Sequence, residues 1–509
     1  MATFSVHAAT LIGMEAVPVT VEVELSGGIP GMTIVGMPDS AVLEARSRIR
    51  CALRSCGFEI PRLHATVNLA PSDLRKSGTG FDLPIAVALL AAGGQIPAAG
   101  LDGLLFVGEL GLDGETCPVR GAMAYALLAR QSGLVLVGAS SFVREARDAD
   151  VSGSRHAMLS TLSGLRLGER GLKEPGEHEA QAHEPHEGDL DYADVVDQEL
   201  PKRALVVAAA GGHGLFMVGP PGSGKTMLAR RLPSILPALD DDERVETMLL
   251  HSVCSLPLDG LARGERPFRS PHHSVSAAGL VGGGRPVKPG EASLAHNGVL
   301  FLDEMPEFAP SVLQALRQPM EDGEVHLVRA DASFVFPSRF QLVGAANPCP
   351  CGHAGDPSRP CRCSPQDVVR YQSRIGGALL DRIDVFVGVS RPKAGRVIAG
   401  AKGTSSAEMR ERVAMARAHA AWRRSKSGQD DARTLGREGV SGIGFTPEAA
   451  SALERMSMRL ALGGRAIART ARVARTIADL DERAEVRPAD VAEACSLRNR
   501  FEADGGRHG

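Results

Sequence analysis

Two short stretches of this chain hold residues able to handle a nucleoside triphosphate. The first is Gly219-Pro220-Pro221-Gly222-Ser223-Gly224-Lys225-Thr226, with the pattern G-x-x-x-x-G-K-[ST]. The apolar run Leu215–Val218 precedes it and a helix-compatible stretch follows. Glycines let successive backbone N–H groups wrap phosphate oxygens, while the helix N-terminus favours their charge. In such a loop Lys225 reaches the β- and γ-phosphates and the Thr226 hydroxyl holds Mg²⁺. The second stretch, Gly298-Val-Leu-Phe-Leu-Asp303-Glu304, is an apolar strand ending in two carboxylates. Asp303 suits the Mg²⁺ shell, and Glu304 suits a base that polarises the attacking water. A lone match of this kind can be a chance glycine-rich turn. Paired in this order with the second strand, it points to an ATPase.

Other polar residues stand where chemistry of this kind needs them. Asn347 follows the apolar run 340–346; a polar side chain there orients the attacking water, or merely starts the turn into Pro348. Arg382, in Leu379-Leu-Asp-Arg-Ile-Asp384, ends a helical stretch before another apolar strand. It reads either as a surface ion-pair partner or as an arginine reaching a neighbouring subunit's nucleotide. Gly463-Gly-Arg465 heads a helix with Arg469, Arg472 and Arg475, one face of which could close over phosphates. Cys349-Pro-Cys351 and Cys361-Arg-Cys363 flank a turn-forming segment with Gly352, Gly355, Pro357 and Pro360. Four thiolates match a closed structural Zn²⁺ site; free thiols in a tight loop are the other reading, since the spacing is C-x-C rather than C-x-x-C. The remaining cysteines, Cys51, Cys56, Cys117, Cys254 and Cys495, are scattered and read as core residues.

The elements that must position these residues follow from periodicity. Alternating segments such as Val17–Leu25 and helical runs such as Ser40–Cys56 predict an α/β domain over residues 1–167. Residues 168–188, rich in Glu, His, Gly and Pro, read as a solvated linker; His178, His183 and His186 within it lack the fixed spacing of a metal site. Over 189–395 the apolar strands Leu215–Val218, Val299–Leu302, Phe340–Ala345 and Val385–Val389 alternate with helical stretches, which predicts a parallel sheet with covering helices. From 396 to 509 the pattern is helical (Ala407–Arg424, Pro447–Met456, Arg465–Asp481). Val325–Phe336 reads as a hairpin with a polar tip that includes Arg329.

At 509 residues the chain has room for about three domains. A net charge of −3 neither suggests nor excludes nucleic acid, because a basic channel can hide inside a neutral total. The start Met1-Ala-Thr-Phe-Ser lacks a signal-peptide pattern, and every apolar run is broken by Gly, Pro or charge before it could span a bilayer. The expected location is the cytoplasm, with no membrane partner.

Longer phrases carry a family resemblance: Arg266-Pro-Phe-Arg-Ser-Pro-His-His-Ser, Leu280-Val-Gly-Gly-Gly, Gly290-Glu-Ala-Ser-Leu-Ala-His-Asn-Gly, Leu316-Arg-Gln-Pro-Met-Glu-Asp-Gly, Asn347-Pro-Cys-Pro-Cys-Gly and Val473-Ala-Arg-Thr-Ile-Ala-Asp-Leu. Over nearly its whole length the chain resembles magnesium-chelatase-like AAA+ ATPases of the ComM/YifB family. The resemblance implies Walker roles for Lys225, Thr226, Asp303 and Glu304. It makes Asn347 a first sensor, Arg382 a finger acting in trans with Arg374 as its alternative, and Arg465 a second sensor in a C-terminal helical lid. It also implies ATP and Mg²⁺ as ligands, an ATP-dependent homo-hexamer, and hairpins such as 325–336 facing a central pore, against a plain subunit-packing role. Residues 75–82 with 108–121 resemble the proteolytic domain of Lon-type proteases, but Gly80 stands at the serine position and Met123 at the lysine position. Neither can do that chemistry, so proteolysis is expected to be absent. The function implied is a DNA motor of the branch-migration helicase type used in natural transformation. A magnesium-chelatase-type ATPase subunit and a chaperone-like protein remodeller are the alternatives.

Overall fold

A computed structural model of the chain describes residues 2–60, 62–148, 153–176, 190–329, 333–356, 359–400, 402–427 and 442–498. The chain divides into two compact units. One comprises Met1–Ala182 together with Asp240–Gly264, and the other His183–Leu239 together with Glu265–Gly509. The polypeptide therefore passes between units three times. The three linker histidines and the hairpin tip, residues 330–332, lie outside the described residues.

The first unit is built on a seven-stranded mixed sheet. Its strand order is Gly31–Val35, His64–Ala70, Glu15–Ser26, Ala2–Ile12, Leu104–Phe106, Val135–Gly138, Arg155–Met158. Alternation along Glu15–Ser26 puts Val19, Val21, Val23 and Leu25 in the core. Helix Ser40–Ser55 buries Val42, Ala45, Ile49, Ala52 and Leu53, the spacing of one helical face, and Asp39 caps it by accepting from the Val42 N–H at 3.0 Å. Helix Asp82–Ala92 is buried nearly all round, Asp82 included. That carboxylate accepts a forked pair from Arg48, at 2.5 and 2.9 Å. Burial raises the Asp82 pKa, and the Arg48 hydrogen bond opposes it. Asp240–Gly264 contributes helix Asp241–Ser252, begun by a reciprocal Asp240/Glu243 capping box. Its Ser252 hydroxyl donates to Glu145 at 2.7 Å and accepts from the Met123 N–H at 3.2 Å.

The second unit centres on a five-stranded parallel sheet, ordered Phe268–Arg269, Val299–Leu302, Gln341–Ala346, Leu215–Val218, Val385–Gly388. Alternate residues feed two cores. Leu215, Met217, Phe301, Val343 and Val385 face one, while Phe216, Val218, Leu302, Leu342 and Phe386 face the other. Burial on both faces is why these strands read as unbroken apolar runs. Helix Glu199–Gly211 packs with helices Ser406–Ser427 and Gly464–Leu480 on the first of these faces, and helices Pro447–Arg459 and Pro488–Ser496 complete the C-terminal part. The expected hairpin is present as strands Glu324–Val328 and Ser333–Pro337 in antiparallel register.

Candidate functional site

In a parallel α/β sheet, ligand sites form beyond the carboxyl ends of the strands. The second unit places three sequence-predicted groups there on three adjacent strands. Leu215–Val218 runs into the glycine loop, Val299–Leu302 ends at Asp303, and Gln341–Ala346 lies between them and ends at Asn347. Because the Asn347 strand is the one inserted between the other two, its side chain arrives beside the loop.

The glycine loop is shaped by positions no other residue fills. A Cβ on Gly219 would stand 2.1 Å from the Val389 carbonyl oxygen, and Gly222 and Gly224 have φ of 75° and 94°. Lys225 opens helix Lys225–Arg230, and its ammonium donates to the carbonyls of Gly219 (2.7 Å) and Pro220 (3.1 Å) and to Asn347 Oδ1 (3.1 Å). Burial lowers the Lys225 pKa, opposed by the charges of Asp303 and Glu304. The Thr226 hydroxyl donates to Asp303 Oδ2 at 2.7 Å. These two oxygens therefore sit side by side, as a shared divalent cation requires. Glu304 is exposed at φ 48°, a left-handed conformation costly for a residue with a Cβ, and its N–H donates to Asp303 Oδ1 at 2.9 Å.

The three arginines named from sequence lie elsewhere. Arg382 donates to the Ala378 carbonyl at 2.5 Å and pairs with Glu321, leaving its side chain 12% exposed. Arg374 is half exposed and 3.4 Å from Glu307. Arg465 is exposed in the first turn of helix Gly464–Leu480. That helix is tied to the sheet by Arg469, which donates to the Arg382 carbonyl at 2.6 Å and to Asp384 at 2.8 Å.

The cysteine loop packs against the glycine loop. Its four sulfurs all lie within 4.8 Å of one another, with three of the separations at 3.4, 3.6 and 3.6 Å. Tetrahedral Zn–S bonds of about 2.3 Å would put sulfurs roughly 3.8 Å apart, so the donor set fits such an ion. Backbone N–H groups of Arg362 and His353 lower the Cys351 pKa to about 6, which favours a thiolate there, while the thiols of Cys361 and Cys363 beside it are pushed up. Gly352, at φ 79°, has Pro221 so close that a Cβ would come within 2.6 Å of its Cδ. Two further residues brace the loop, and sequence reasoning missed both. Arg391 pairs with the nearly buried Asp356 at 3.2 Å, and Gln372 donates to the Pro348 carbonyl at 3.1 Å. Neither belongs to a motif, and only their proximity in the fold reveals them.

In the first unit, Gly80 and Met123 offer no nucleophile and no base. Met123 is fully buried, and Gly80 donates no side chain toward Val107, its nearest neighbour at the Cβ position. Lys76, next to Ser77, is buried and donates to the Pro71 carbonyl.

Comparison with known proteins gives this geometry its family. The family described as "Magnesium chelatase, subunit ChlI" matches residues 191–397, "Subunit ChlI of Mg-chelatase" matches 21–139, and the C-terminal part of the same subunit matches 403–498. The YifB protein of Salmonella typhimurium is 42% identical over 496 residues, covering 97% of this chain and 96% of its own. Competence protein ComM of Haemophilus influenzae is 41% identical over 498 residues, covering 97% of each. The chain belongs to the ComM/YifB family of magnesium-chelatase-like AAA+ proteins. A magnesium-chelatase 67 kDa subunit of Heliobacterium mobile is 30% identical over 188 residues, covering 31% of this chain and 28% of its own. The likeness to ComM and YifB thus extends through both compact units, while that to the chelatase subunit spans about a third of the chain. Among the described residues no helix is long and apolar enough to cross a membrane.

Proposed function

We propose that this ComM/YifB-family protein is an ATP-driven hexameric motor on DNA, of the branch-migration helicase type. The observation that carries the ATPase part is the meeting of Lys225, Asn347, Thr226 and Asp303 at the carboxyl edge of one parallel sheet. In this reading Lys225 and the loop amides of residues 219–224 hold the phosphates. Thr226 and Asp303 hold Mg²⁺, which neutralises charge on the phosphates when bound. Glu304 takes the proton of the attacking water, Asn347 orients that water, Arg465 senses the γ-phosphate, and Arg382 completes the site of a neighbouring subunit. Cys349, Cys351, Cys361 and Cys363 hold a structural Zn²⁺ that fixes the loop on Pro221. The first unit is a Lon-protease-like domain without proteolytic activity, and the protein works in the cytoplasm.

The DNA part is supported by the full-length likeness to a protein named for competence and by the exposed hairpin that carries Arg329. A chelatase-type ATPase subunit is the second reading, favoured by the chelatase description that matches residues 191–397. One experiment separates them: a salt titration of DNA binding by the ATP-bound chain, followed by junction processing with hydrolysable and non-hydrolysable ATP. Salt-sensitive binding and hydrolysis-dependent processing support the motor. Absence of binding at low salt favours the chelatase-type reading.

A further inference from the structure

The second unit contains a cavity at the opposite edge of its parallel sheet from the glycine loop. It has a volume of about 450 Å³, inside the range of about 300–1,000 Å³ usual for small-molecule sites. Gly212 and His213, just before strand Leu215–Val218, and Asp384, just before strand Val385–Gly388, lie on its wall. A four-residue strand spans roughly 13 Å, so this cavity and the nucleotide loop occupy different ends of the same strand.

Its charge is lopsided. Arg417, Arg423, Arg424, Arg472 and Arg475 line it, against the carboxylates of Asp384 and Asp479. Both carboxylates are already engaged. Asp384 accepts from Arg469 at 2.8 Å and stands 3.7 Å from His213, while Asp479 is shared by Arg423 (3.3 Å), Arg475 (3.1 Å) and His419 (3.0 Å). Among the described residues the Nε atoms of Arg472 and Arg475 are buried without a hydrogen-bond partner, while the terminal nitrogens of Arg475 are spent on the carbonyls of Ala484 (2.9 Å) and Arg483 (2.5 Å) and on Asp479. Arg475 is 3% exposed. A buried N–H donor without an acceptor destabilises the fold, so two in one cavity wall mark a place built for an acceptor. Arginine forks take phosphate oxygens in pairs, as they do carboxylates, and several cationic forks around one cavity suit an anion that carries more than one charge.

We propose that this cavity binds a small, multiply charged phosphoryl anion of the pyrophosphate class, with Arg472 as principal donor and the Nε–H of Arg475 beside it. The site is separate from the nucleotide loop and does not depend on the motor assignment. It also has a route to that loop. Arg472 and Arg475 lie on helix Gly464–Leu480, whose first turn carries Arg465, so an anion held here fixes the helix that presents that arginine.

The test uses the full chain carrying Lys225→Ala, which weakens phosphate binding at the glycine loop, and inorganic pyrophosphate as probe. Binding is followed by calorimetry and by thermal melting, with sodium chloride at matched ionic strength as control. The parent should bind pyrophosphate and melt several degrees higher in its presence. Arg472→Gln should bind about tenfold more weakly. Without pyrophosphate it should melt within a few degrees of the parent, because the Arg472 Nε has no hydrogen-bond partner to lose and Asp384, which also feels the Arg472 charge, keeps Arg469 and His213. Arg472→Lys, which keeps the charge, should stay within about fivefold of the parent. Equal pyrophosphate affinity in Arg472→Gln and parent overturns the proposal, as does a chloride effect as large as that of pyrophosphate. An Arg472-dependent response to a short single-stranded oligonucleotide but not to pyrophosphate also overturns it, and assigns the cavity to a nucleic-acid backbone.

Discussion

Lys225 shows how a single side chain ties the site together. Its three ammonium protons go to two loop carbonyls and to Asn347, so it holds the glycine loop, the central strand tip and its own helix at one point. A phosphate entering the loop competes with those carbonyls for an ammonium that burial has already made less comfortable with its charge. We therefore expect Lys225→Ala to lose ATP binding, checked by fluorescent-nucleotide titration. Glu304→Gln should bind ATP with little change and hydrolyse it at least about a hundredfold more slowly, the scale of a lost general base. Unchanged turnover in Glu304→Gln would remove Glu304 from that role. Asn347→Ala should lower kcat more than about tenfold while moving nucleotide affinity less than about threefold. A larger loss of affinity than of kcat would make Asn347 a brace for Lys225 rather than a residue acting on water.

At the scale of elements, the cysteine loop is the neighbour that matters to the glycine loop. The chain leaves the central strand at Asn347 and enters the four-cysteine turn two residues later, and that turn rests on Pro221 through Gly352. Purified protein should carry about one Zn²⁺ per chain by elemental analysis. Cys349→Ser with Cys351→Ser should release it and weaken ATP binding as well, because the support of Pro221 goes with it. Gly352→Ala separates the two effects. A Cβ at that position meets Pro221 and needs φ near 79°, so ATP binding should fall while zinc stays bound. Zinc-free protein with full nucleotide affinity would show that the turn stands without a metal. The hairpin Glu324–Val328/Ser333–Pro337 exposes Val328 and Val335 along with its polar residues. If it grips DNA, Arg329→Ala should weaken DNA stimulation of the ATPase and leave basal hydrolysis nearly unchanged.

For the molecule as a whole, the predictions turn on assembly. Arg382 is held within its own chain by Glu321 and Ala378, so acting on a neighbour's nucleotide requires it to exchange those partners for phosphate. ATP should drive assembly into rings, measured by light scattering, and Arg382→Ala should assemble yet hydrolyse slowly, for want of a cation at the transition state. Mixing Arg382→Ala chains with Lys225→Ala chains should restore part of the activity, because an intact loop then meets an intact arginine across an interface. No recovery on mixing would place the finger elsewhere, with Arg374 next to be tested. DNA affinity of the ring should fall steeply with salt and vary little with sequence, as phosphate contacts dictate.

Much of the second unit was legible in the order of residues. Strand Leu215–Val218 was bounded to the residue, and Val299–Leu302, 341–346 and 385–388 were found within a residue at each end, because burial on both faces leaves an unbroken apolar run. Three helices of the C-terminal part, Ser406–Ser427, Pro447–Arg459 and Gly464–Leu480, are legible for the complementary reason, a 3.6-residue period of Ala, Val and Ile, whereas the nine-residue helix Pro488–Ser496 is not. The edge strand Phe268–Arg269 is two residues long and has no period to detect. Pattern along a chain says what each segment is, not which segment lies beside it. Only the sheet order puts Asn347 between the glycine loop and Asp303, and only packing puts Gly352 on Pro221. Residues 240–264 look like a continuation of the P-loop module, yet their helix joins the first unit through Ser252, Glu145 and the backbone of Met123. The arginine-lined cavity is likewise assembled from segments more than two hundred residues apart. Local sequence determines conformation through short-range sterics and burial pattern; long-range contacts, which bring together charges the chain keeps far apart, exist only once the tertiary structure has formed.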